Sequence, residues 1–233
     1  TVAGHYNVPV ILATGDEVVP PDQEPGPAQI RDANSYTVAA QVKRWGGKPM
    51  LLGVACDQEE LIRCGVREAL ERQADFIVTS GGVSVGDFDL VKRILTAEGE
   101  MHFWSLNMKP GRPMAFGVVD GVPLIGLPGN PVATMLNTEL FVRPALLKMQ
   151  GFTDWSRATV QAYLAEPVAR KDGRRHYLRV RLRETETGTE AVLTGDQGSG
   201  ILNSLVVADG LAVLPEEARA LPRGAAVDVI LLD

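Results

Sequence analysis

The stretch "DFIVTSGGVSVGDFD", residues 75–89, decides the fold. It begins with a short apolar run rich in β-branched residues, which is typical of a buried strand. Gly81, Gly82 and Gly86 follow, and glycines let the backbone turn sharply and approach a ligand closely. Apolar residues then recur at helical spacing from Leu90 to Leu95. The stretch therefore predicts a strand–turn–helix unit, the repeating element of a parallel α/β sheet.

Two carboxylates, Asp87 and Asp89, stand where that helix would begin. They can cap orphan amides at the helix start, or they can hold a cation beside a bound phosphate. The residues alone leave both interpretations open.

The same alternation extends to both sides of this unit. Apolar runs that predict further strands are "VPVILATG" (8–15), "KPMLLGVAC" (48–56) and "VPLIGL" (122–127). Helical patterns separate them, one of them capped by Asn34 or Ser35 and the last running from about Pro131 towards Gly151, with a bend at Pro144. We predict an α/β domain over residues 1–151 with a mainly parallel sheet between two helical layers.

From residue 156 onward the pattern changes to short alternating segments divided by Gly, Asp and Pro turns, without a convincing amphipathic helix. Such spacing is typical of a small all-β domain. We predict a compact β-barrel domain over residues 152–233.

Composition excludes several classes of function. The 233 residues are 45% apolar with a net charge of −6, which argues against general nucleic-acid binding. No apolar run is long enough to cross a membrane, and no signal pattern opens the chain. Two cysteines and three scattered histidines give no disulfide framework and no histidine metal site, so we expect a cytoplasmic protein. Because Thr1 stands where an initiating Met would, we expect a fragment or a processed chain.

Four loops follow predicted strand ends, where open parallel sheets bind ligands. They are "TGDE" (14–17), "GGVSVGD" (81–87), "KPGRP" (109–113) and "LPGNP" (127–131). Lys109 and Arg112 suit phosphate or another oxyanion, although an exposed turn would also explain them. The amides at the start of the helix after "LPGNP" can hold an anion.

The predicted β domain carries most of its positive charge in one place. Seven basic residues and one acid lie between Arg170 and Arg183. A solvated strand face would account for any one of them, but the cluster favours attraction of an anion.

As a set, these motifs resemble the molybdopterin molybdenumtransferase family, known as MoeA in bacteria and as the E domain of gephyrin in animals. The motifs "TGDE", "DANS" (32–35), "TSGGVSVGDFD", "KPGRPMAFG" and "GLPGNPV" occur in the order typical of that family. The resemblance is strong over residues 8–151 and weaker to the end of the chain. It implies a molybdopterin-binding three-layer α/β/α domain followed by a small β-barrel. It also implies an enzyme that uses Mg²⁺ to cleave adenylylated molybdopterin, release AMP and insert molybdate.

The resemblance assigns roles residue by residue. It implies catalytic roles for Asp57, Asp87, Asp89 and Lys109 and metal ligation by Glu17, Asp87 and Asp89. It implies contacts to pterin, phosphate or molybdate from Thr14, Gly15, Ser80, Gly81, Gly82, Ser84, Gly86, Arg112, Pro128, Gly129, Asn130, Arg175, Arg179 and Ser199. As partners it implies the small-molecule pterin and molybdate, a homodimer in the full-length form, and handover from the adenylyltransferase that precedes it.

The sequence also departs from the family pattern. Ser105 stands where many members carry a lysine, and Ala133 stands where a serine is common. The two N-terminal domains of the family have no counterpart in these residues. A molybdopterin adenylyltransferase-like enzyme and a non-catalytic binding or scaffold module therefore stay open as alternatives.

Overall fold

A computed structural model describes residues 8–82, 90–170 and 172–232. The chain divides into two compact units. The first extends to Leu106 and resumes over Pro113–Trp155, and the second contains Asn107–Arg112 and the chain from Ser156 onward. The sequence predicted an uninterrupted first domain, but the structure assigns residues 107–112 to the second unit.

In chain order the strands are β1 Pro9–Thr14, β2 Val18–Val19, β3 Ile30–Arg31, β4 Met50–Ala55, β5 Phe76–Ser80, β6 Gly99–Ser105, β7 Met108–Lys109, β8 Pro113–Val119, β9 Val122–Leu127, β10 Thr159–Leu164, β11 Val168–Ala169, β12 Arg175–Thr185, β13 Gly188–Leu193, β14 Gly210–Leu214, β15 Ala220–Leu221 and β16 Ala226–Leu231. The helices are α1 Asn34–Arg44, α2 Glu59–Glu71, α3 Leu90–Glu98, α4 Pro131–Asn137, α5 Arg143–Met149 and α6 Asn203–Val206. No helix among the described residues is long and apolar enough to cross a membrane.

The sheet of the first unit has the strand order β4-β1-β5-β9-β8-β6. Strands β4, β1, β5 and β9 are parallel to one another, while β8 is antiparallel to both of its neighbours. Every residue of β1 is buried, as its continuous apolar run predicted. The prediction of a mainly parallel α/β sheet is confirmed.

Two hydrophobic cores cover the two faces of this sheet. The core on the α2 and α3 side includes Ile62, Val66, Ala69, Ile94 and Leu95, together with inward residues of β1 and β5. The core on the α1 and α5 side includes Val38, Val42, Val142 and Leu146. Because both faces are covered, ligands can reach the sheet at its ends.

The start of α1 differs from the prediction that Asn34 or Ser35 caps it. Both residues lie within the helix, and the carboxylate of Asp32 accepts a hydrogen bond from the Ser35 amide at 3.0 Å. The N-cap residue is Ala33, which makes no side-chain capping bond, and the side chain of Asn34 makes other contacts.

The predicted bend at Pro144 takes a different form. Between α4 and α5 the helix widens into a π-turn over Thr138–Val142, and Pro144 lies in the first turn of α5. The proline ring cannot donate a backbone hydrogen bond, and a local π-turn accommodates that loss within a continuous helical segment.

The second unit is a small closed barrel. Strands β10, β16, β14, β12 and β13 form a ring, because β13 pairs with both β12 and β10, and β7 adds to β12 as a sixth strand. Inward residues such as Ala162, Val180, Ala212 and Val229 form its core. The predicted small β-barrel is confirmed, and the four-residue helix α6 is an addition that the sequence did not predict.

Candidate functional site

An open pocket lies at the carboxyl ends of the parallel strands in the first unit. Four of the predicted site residues contribute to its wall: Thr14, Glu17, Ser80 and Gly129. The other residues that line it come from β1 to β3, the start of α1 and the start of α4: Ala13, Val18, Ile30, Arg31, Asp32, Ala33, Asn34 and Pro131. The sequence thus predicted one side of the pocket and missed the side formed by residues 30–34.

The turn after β5 packs directly against the end of β1. Gly81 has a φ of +93°, and a Cβ built there would lie 2.5 Å from the Thr14 carbonyl oxygen. Gly82 follows with a φ of +65°. The Thr14 hydroxyl donates a 3.4 Å hydrogen bond to the Ser80 carbonyl. Glycine is therefore required at position 81 by the close approach of two backbone segments.

Asn34 joins the turns after β5 and β9. Its Nδ2 atom lies 2.8 Å from the Ser80 hydroxyl oxygen and 2.9 Å from the Gly129 carbonyl oxygen. Because a carbonyl can only accept, the amino group of Asn34 must face Gly129. The Oδ1 atom is buried and takes no hydrogen bond from the described residues.

The loop "LPGNP" is fixed from its helix side. The buried Thr134 hydroxyl lies 2.5 Å from the Pro128 carbonyl and 2.9 Å from the Asn130 carbonyl. Asn130 is the N-cap residue of α4, without a side-chain capping bond, and Pro131 is at the first helical position. Thr134 was not a predicted site residue, and only its position one turn into the helix could have indicated it.

Gly129 leaves open space on the pocket side. A Cβ built there meets only the Gly81 Cα atom, at 3.8 Å, and its φ is not in the left-handed region. The fold therefore does not require glycine at this position, unlike at Gly81. A ligand that approaches the backbone closely would require it.

Carboxylates gather beside the ends of β1 and β4. The Asp57 amide donates a 2.9 Å hydrogen bond to Asp16, and Glu17 lies on the same turn as Asp16. The pKa of Asp57 is raised by desolvation and by the like charges of Asp16 and Glu17, against a hydrogen bond from the Asp16 backbone that lowers it. Gly15, which precedes this turn, donates its amide to the Ala55 carbonyl at 3.1 Å.

No group of three or more metal-ligating side chains assembles within residues 8–82, 90–170 and 172–232. Four predicted residues, Ser84, Gly86, Asp87 and Asp89, lie outside the described residues. The predicted metal site therefore stays a prediction. Carboxylate oxygens are the ligands that Mg²⁺ prefers, so the chemistry of Glu17 and Asp57 suits that ion.

Lys109 lies in the second unit, on the short strand β7. The pairing of β7 with β12 brings it beside His176, and its Nζ atom lies 3.6 Å from the Asp172 carboxylate. The other oxygen of Asp172 lies 2.7 Å from His176 Nε2.

Asp172 remains ionised over a wide pH range. Desolvation alone would raise its pKa, but the hydrogen bond and the charge of His176 outweigh that effect. The Arg174 amide and the Lys109 ammonium act in the same direction, and the pKa falls to about 2. For His176 itself, burial lowers the pKa, against the hydrogen bond to Asp172.

Two arginines of the basic stretch pair with acids from elsewhere in the second unit. Arg175 lies 3.3 Å from Glu216, and Arg183 pairs with Glu190. Arg112 is exposed and forms no ion pair with a described residue. Among the cations predicted to bind an oxyanion, Arg112 is therefore the one whose charge no described acidic residue neutralises.

Arg179 is buried to 1% exposure and holds the loop that precedes α6. Its Nε atom donates to the Ser204 hydroxyl at 3.0 Å and its Nη2 atom to the Gly198 carbonyl at 3.0 Å. Desolvation lowers its pKa, and the nearby charge of Asp196 opposes that shift. Ser199, the residue after Gly198, is exposed. Arg179 thus contacts the loop that carries Ser199, its predicted partner. Arg175 lies four residues earlier on β12.

The described chain matches two families that follow one another. Residues 10–148 match the family described as "Probable molybdopterin binding domain". Residues 161–232 match the "MoeA C-terminal region (domain IV)".

Relatives match over nearly the whole chain. A molybdopterin molybdenumtransferase from Haemophilus influenzae is 33% identical over 226 residues, which cover 94% of this chain and 54% of that protein. A molybdopterin molybdenumtransferase from Nostoc sp. is 35% identical over 211 residues, covering 88% of this chain and 48% of that protein. The crystal structure of a molybdopterin biosynthesis MoeA protein from Pyrococcus horikosii superposes with a TM-score of 0.84 at 32% identity, over 98% of this chain and 55% of that one.

These matches cover an α/β unit followed by a small barrel, and the chain belongs to the MoeA family. The chain spans about half the length of the relatives it matches.

Proposed function

We propose that this chain binds adenylylated molybdopterin in the pocket of its first unit and takes part in the insertion of molybdate, with release of AMP. One observation carries the proposal. Three turns predicted to contact the pterin meet at the pocket wall, through Thr14, Ser80 and Gly129, in a unit that matches a molybdopterin-binding family. The names of the relatives support the reaction class.

The pocket offers donors that suit a phosphate. The backbone turns of residues 80–82 and 128–130 can present amides to an anion, as loops at strand ends commonly do. The open space at Gly129 allows a ligand to approach the backbone, whereas Gly81 maintains the packing against β1. In this proposal, Gly15 and Asn130 hold the same turns in place through their backbone bonds.

We propose that Mg²⁺ is held by Glu17, Asp87 and Asp89, with Asp57 as a further acidic group. When bound, the ion would supply positive charge at the phosphate bridge of the substrate. Burial is the main cause of the raised pKa of Asp57, and the like charges of Asp16 and Glu17 add to it; a cation at this edge of the sheet would offset both effects.

We propose that Arg112 binds molybdate, with Lys109, Arg175 and Ser199 as further contacts. Lys109 and Arg175 have acidic neighbours that an oxyanion would have to replace or share, while Arg112 has none among the described residues. Arg179 contributes by holding the loop that carries Ser199. A tetrahedral dianion that leaves water needs fixed donors and positive charge of this kind.

Further parts of the proposal concern the setting of the reaction. We place the protein in the cytoplasm, since both of its cysteines are free and exposed. We also propose a homodimer in the full-length form and receipt of the adenylylated pterin from a preceding adenylyltransferase.

Turnover with defined substrates tests the proposal. The chain is incubated with adenylylated molybdopterin, molybdate and Mg²⁺, and AMP and molybdenum cofactor are quantified. Arg112→Ala should raise the molybdate concentration needed by roughly ten- to a hundredfold, because charge-assisted contacts contribute about 1.5–3 kcal/mol, and should leave AMP release intact.

Arg223→Ala, another exposed arginine of the second unit, serves as the matched control. Binding of the pterin without turnover would reduce the function to that of a binding module. Loss of pterin binding in Arg112→Ala, with unchanged molybdate dependence, would move Arg112 to the pterin phosphate.

A further inference from the structure

We infer that Asn34 is a positioning residue that turns the Ser80 hydroxyl into a hydrogen-bond donor towards the ligand. The inference rests on the proposed function, because it concerns the same pocket and the same ligand. Asn34 lies on α1, 46 residues before Ser80 and 95 before Gly129, and it contacts both through one nitrogen.

The hydrogen-bond directions follow from the chemistry of the groups. The Gly129 carbonyl can only accept, so the Asn34 amino group faces it, and the same amino group donates to Ser80 Oγ. Since that oxygen accepts from Asn34, its own proton must point elsewhere. No described residue takes that proton, and Ser80 lines the pocket.

This orientation leaves one polar atom unsatisfied. The Oδ1 atom of Asn34 is buried and accepts nothing from the described residues, although a buried acceptor without a partner destabilises a fold. The side chain is thus held by its donor contacts alone. A donor at Ser80 suits the phosphate oxygens or the pterin carbonyl, which can only accept.

Asn34→Asp tests the inference, because the change keeps the shape and replaces the amino group by oxygen. As a carboxylate, Asp at this position would accept the Ser80 proton, repel the Gly129 carbonyl and remove the donor from the pocket. Molybdopterin should bind roughly ten- to a hundredfold more weakly, the size expected for a lost bond to a charged group. When the carboxyl is protonated it can donate again, so the ratio of variant to wild-type Kd should shrink as pH falls.

Three further variants separate this role from a merely structural one. Asn34→Ala should weaken binding without adding any pH dependence to that ratio. In a Ser80→Ala background, where no hydroxyl remains to orient, Asn34→Ala should cause a smaller further loss than it does alone. Tyr36→Phe, an exposed neighbour on the same helix, should bind like the wild type.

The outcomes are distinct. Should the wild type fail to bind molybdopterin, the proposed function fails, and the inference with it. If the wild type binds and Asn34→Asp binds equally well at every pH, the inference alone is refuted. Equal losses from Asn34→Ala with and without the Ser80 hydroxyl would also refute it, even if Asn34→Asp does not fold.

Discussion

At the scale of single residues, Gly129 in the pocket wall and Gly81 in the turn after β5 differ in what requires glycine there. Gly81 has a φ of +93° and lies against the backbone of Thr14, so its glycine serves the fold. Gly129 has neither constraint, and the proposed reason for glycine there is the close approach of a ligand. A substitution at Gly82 would not separate a role in the fold from a role in ligand binding, because the φ of +65° would strain any other residue there.

We predict that alanine at position 81 lowers the stability and that alanine at position 129 leaves it nearly unchanged. Gly81→Ala should lower the free energy of unfolding by at least about 1 kcal/mol, because it combines a disfavoured φ with a backbone clash. Gly129→Ala should stay within about 0.5 kcal/mol of the wild type. Urea unfolding checks both, and a large loss in Gly129→Ala would show that the fold needs this glycine after all.

Asp172 makes the stability of the second unit depend on pH, and the direction of that dependence follows from its pKa. Its pKa in the folded state is lowered from 3.8 to about 2, so its ionised form stabilises the fold above the unfolded value. That contribution is complete above about pH 4 and disappears as pH falls through about 2.

We therefore predict that Asp172→Asn lowers the free energy of unfolding at neutral pH by about 1 kcal/mol, after allowance for solvent screening. The difference from the wild type should vanish near pH 2. Thermal unfolding across this range measures it. A difference that is the same at both ends would show that Asp172 acts through packing rather than charge.

At the scale of elements, a buried arginine on β12 contrasts with an exposed arginine in the segment that follows β7. Arg179 is buried and donates to Ser204 and Gly198, while Arg112, on the segment next to β12, is exposed. The sequence did not predict that Arg179 is buried. Alternation along a strand predicts which residues share a face, but it does not predict that a loop covers that face.

We predict that Arg179→Ala lowers the free energy of unfolding by about 2–4 kcal/mol, because two buried acceptors lose their donor and a cavity forms. Arg112→Ala should change stability by less than about 0.5 kcal/mol. Urea denaturation, followed by the signal of the second unit, compares the two. Equal small effects would mean that Arg179 is not needed to hold the loop before α6.

In the helical segment after β9, the sequence pattern predicted the helix but not its local geometry. Apolar spacing predicted a helix from Pro131 towards Gly151, and the structure has one. The π-turn at Thr138–Val142 was not predicted, because apolar spacing does not distinguish a π-turn from an α-helical turn.

At the scale of the whole molecule, sequence reasoning predicted the two architectures and their order along the chain. Continuous apolar runs predicted β1 and β5 as strands covered on both faces, and short alternating segments predicted the small barrel. The assignment of residues 107–112 to the second unit was missed, because it depends on pairing between β7 and β12, which are more than sixty residues apart.

The candidate site was predictable in part for the same reason. Glycine-rich turns at strand ends indicated the loops of Gly81 and Gly129, and the family resemblance added Ser80. Asn34 and Thr134 act through long-range or helical hydrogen bonds that no local motif specifies. The carboxylates at 87 and 89 lie outside the described residues, so their role stays a prediction.

The central claim is that the pocket of the first unit binds molybdopterin. Equilibrium titration of the chain with molybdopterin tests it most directly, with Gly129→Ala as the site variant and Tyr36→Phe as the control. We expect saturable binding by the wild type and the control, and affinity at least about tenfold weaker in Gly129→Ala, whose added methyl group occupies the space left for the ligand. Absence of saturable binding in the wild type, or unchanged affinity in a normally folded Gly129→Ala, would contradict the claim.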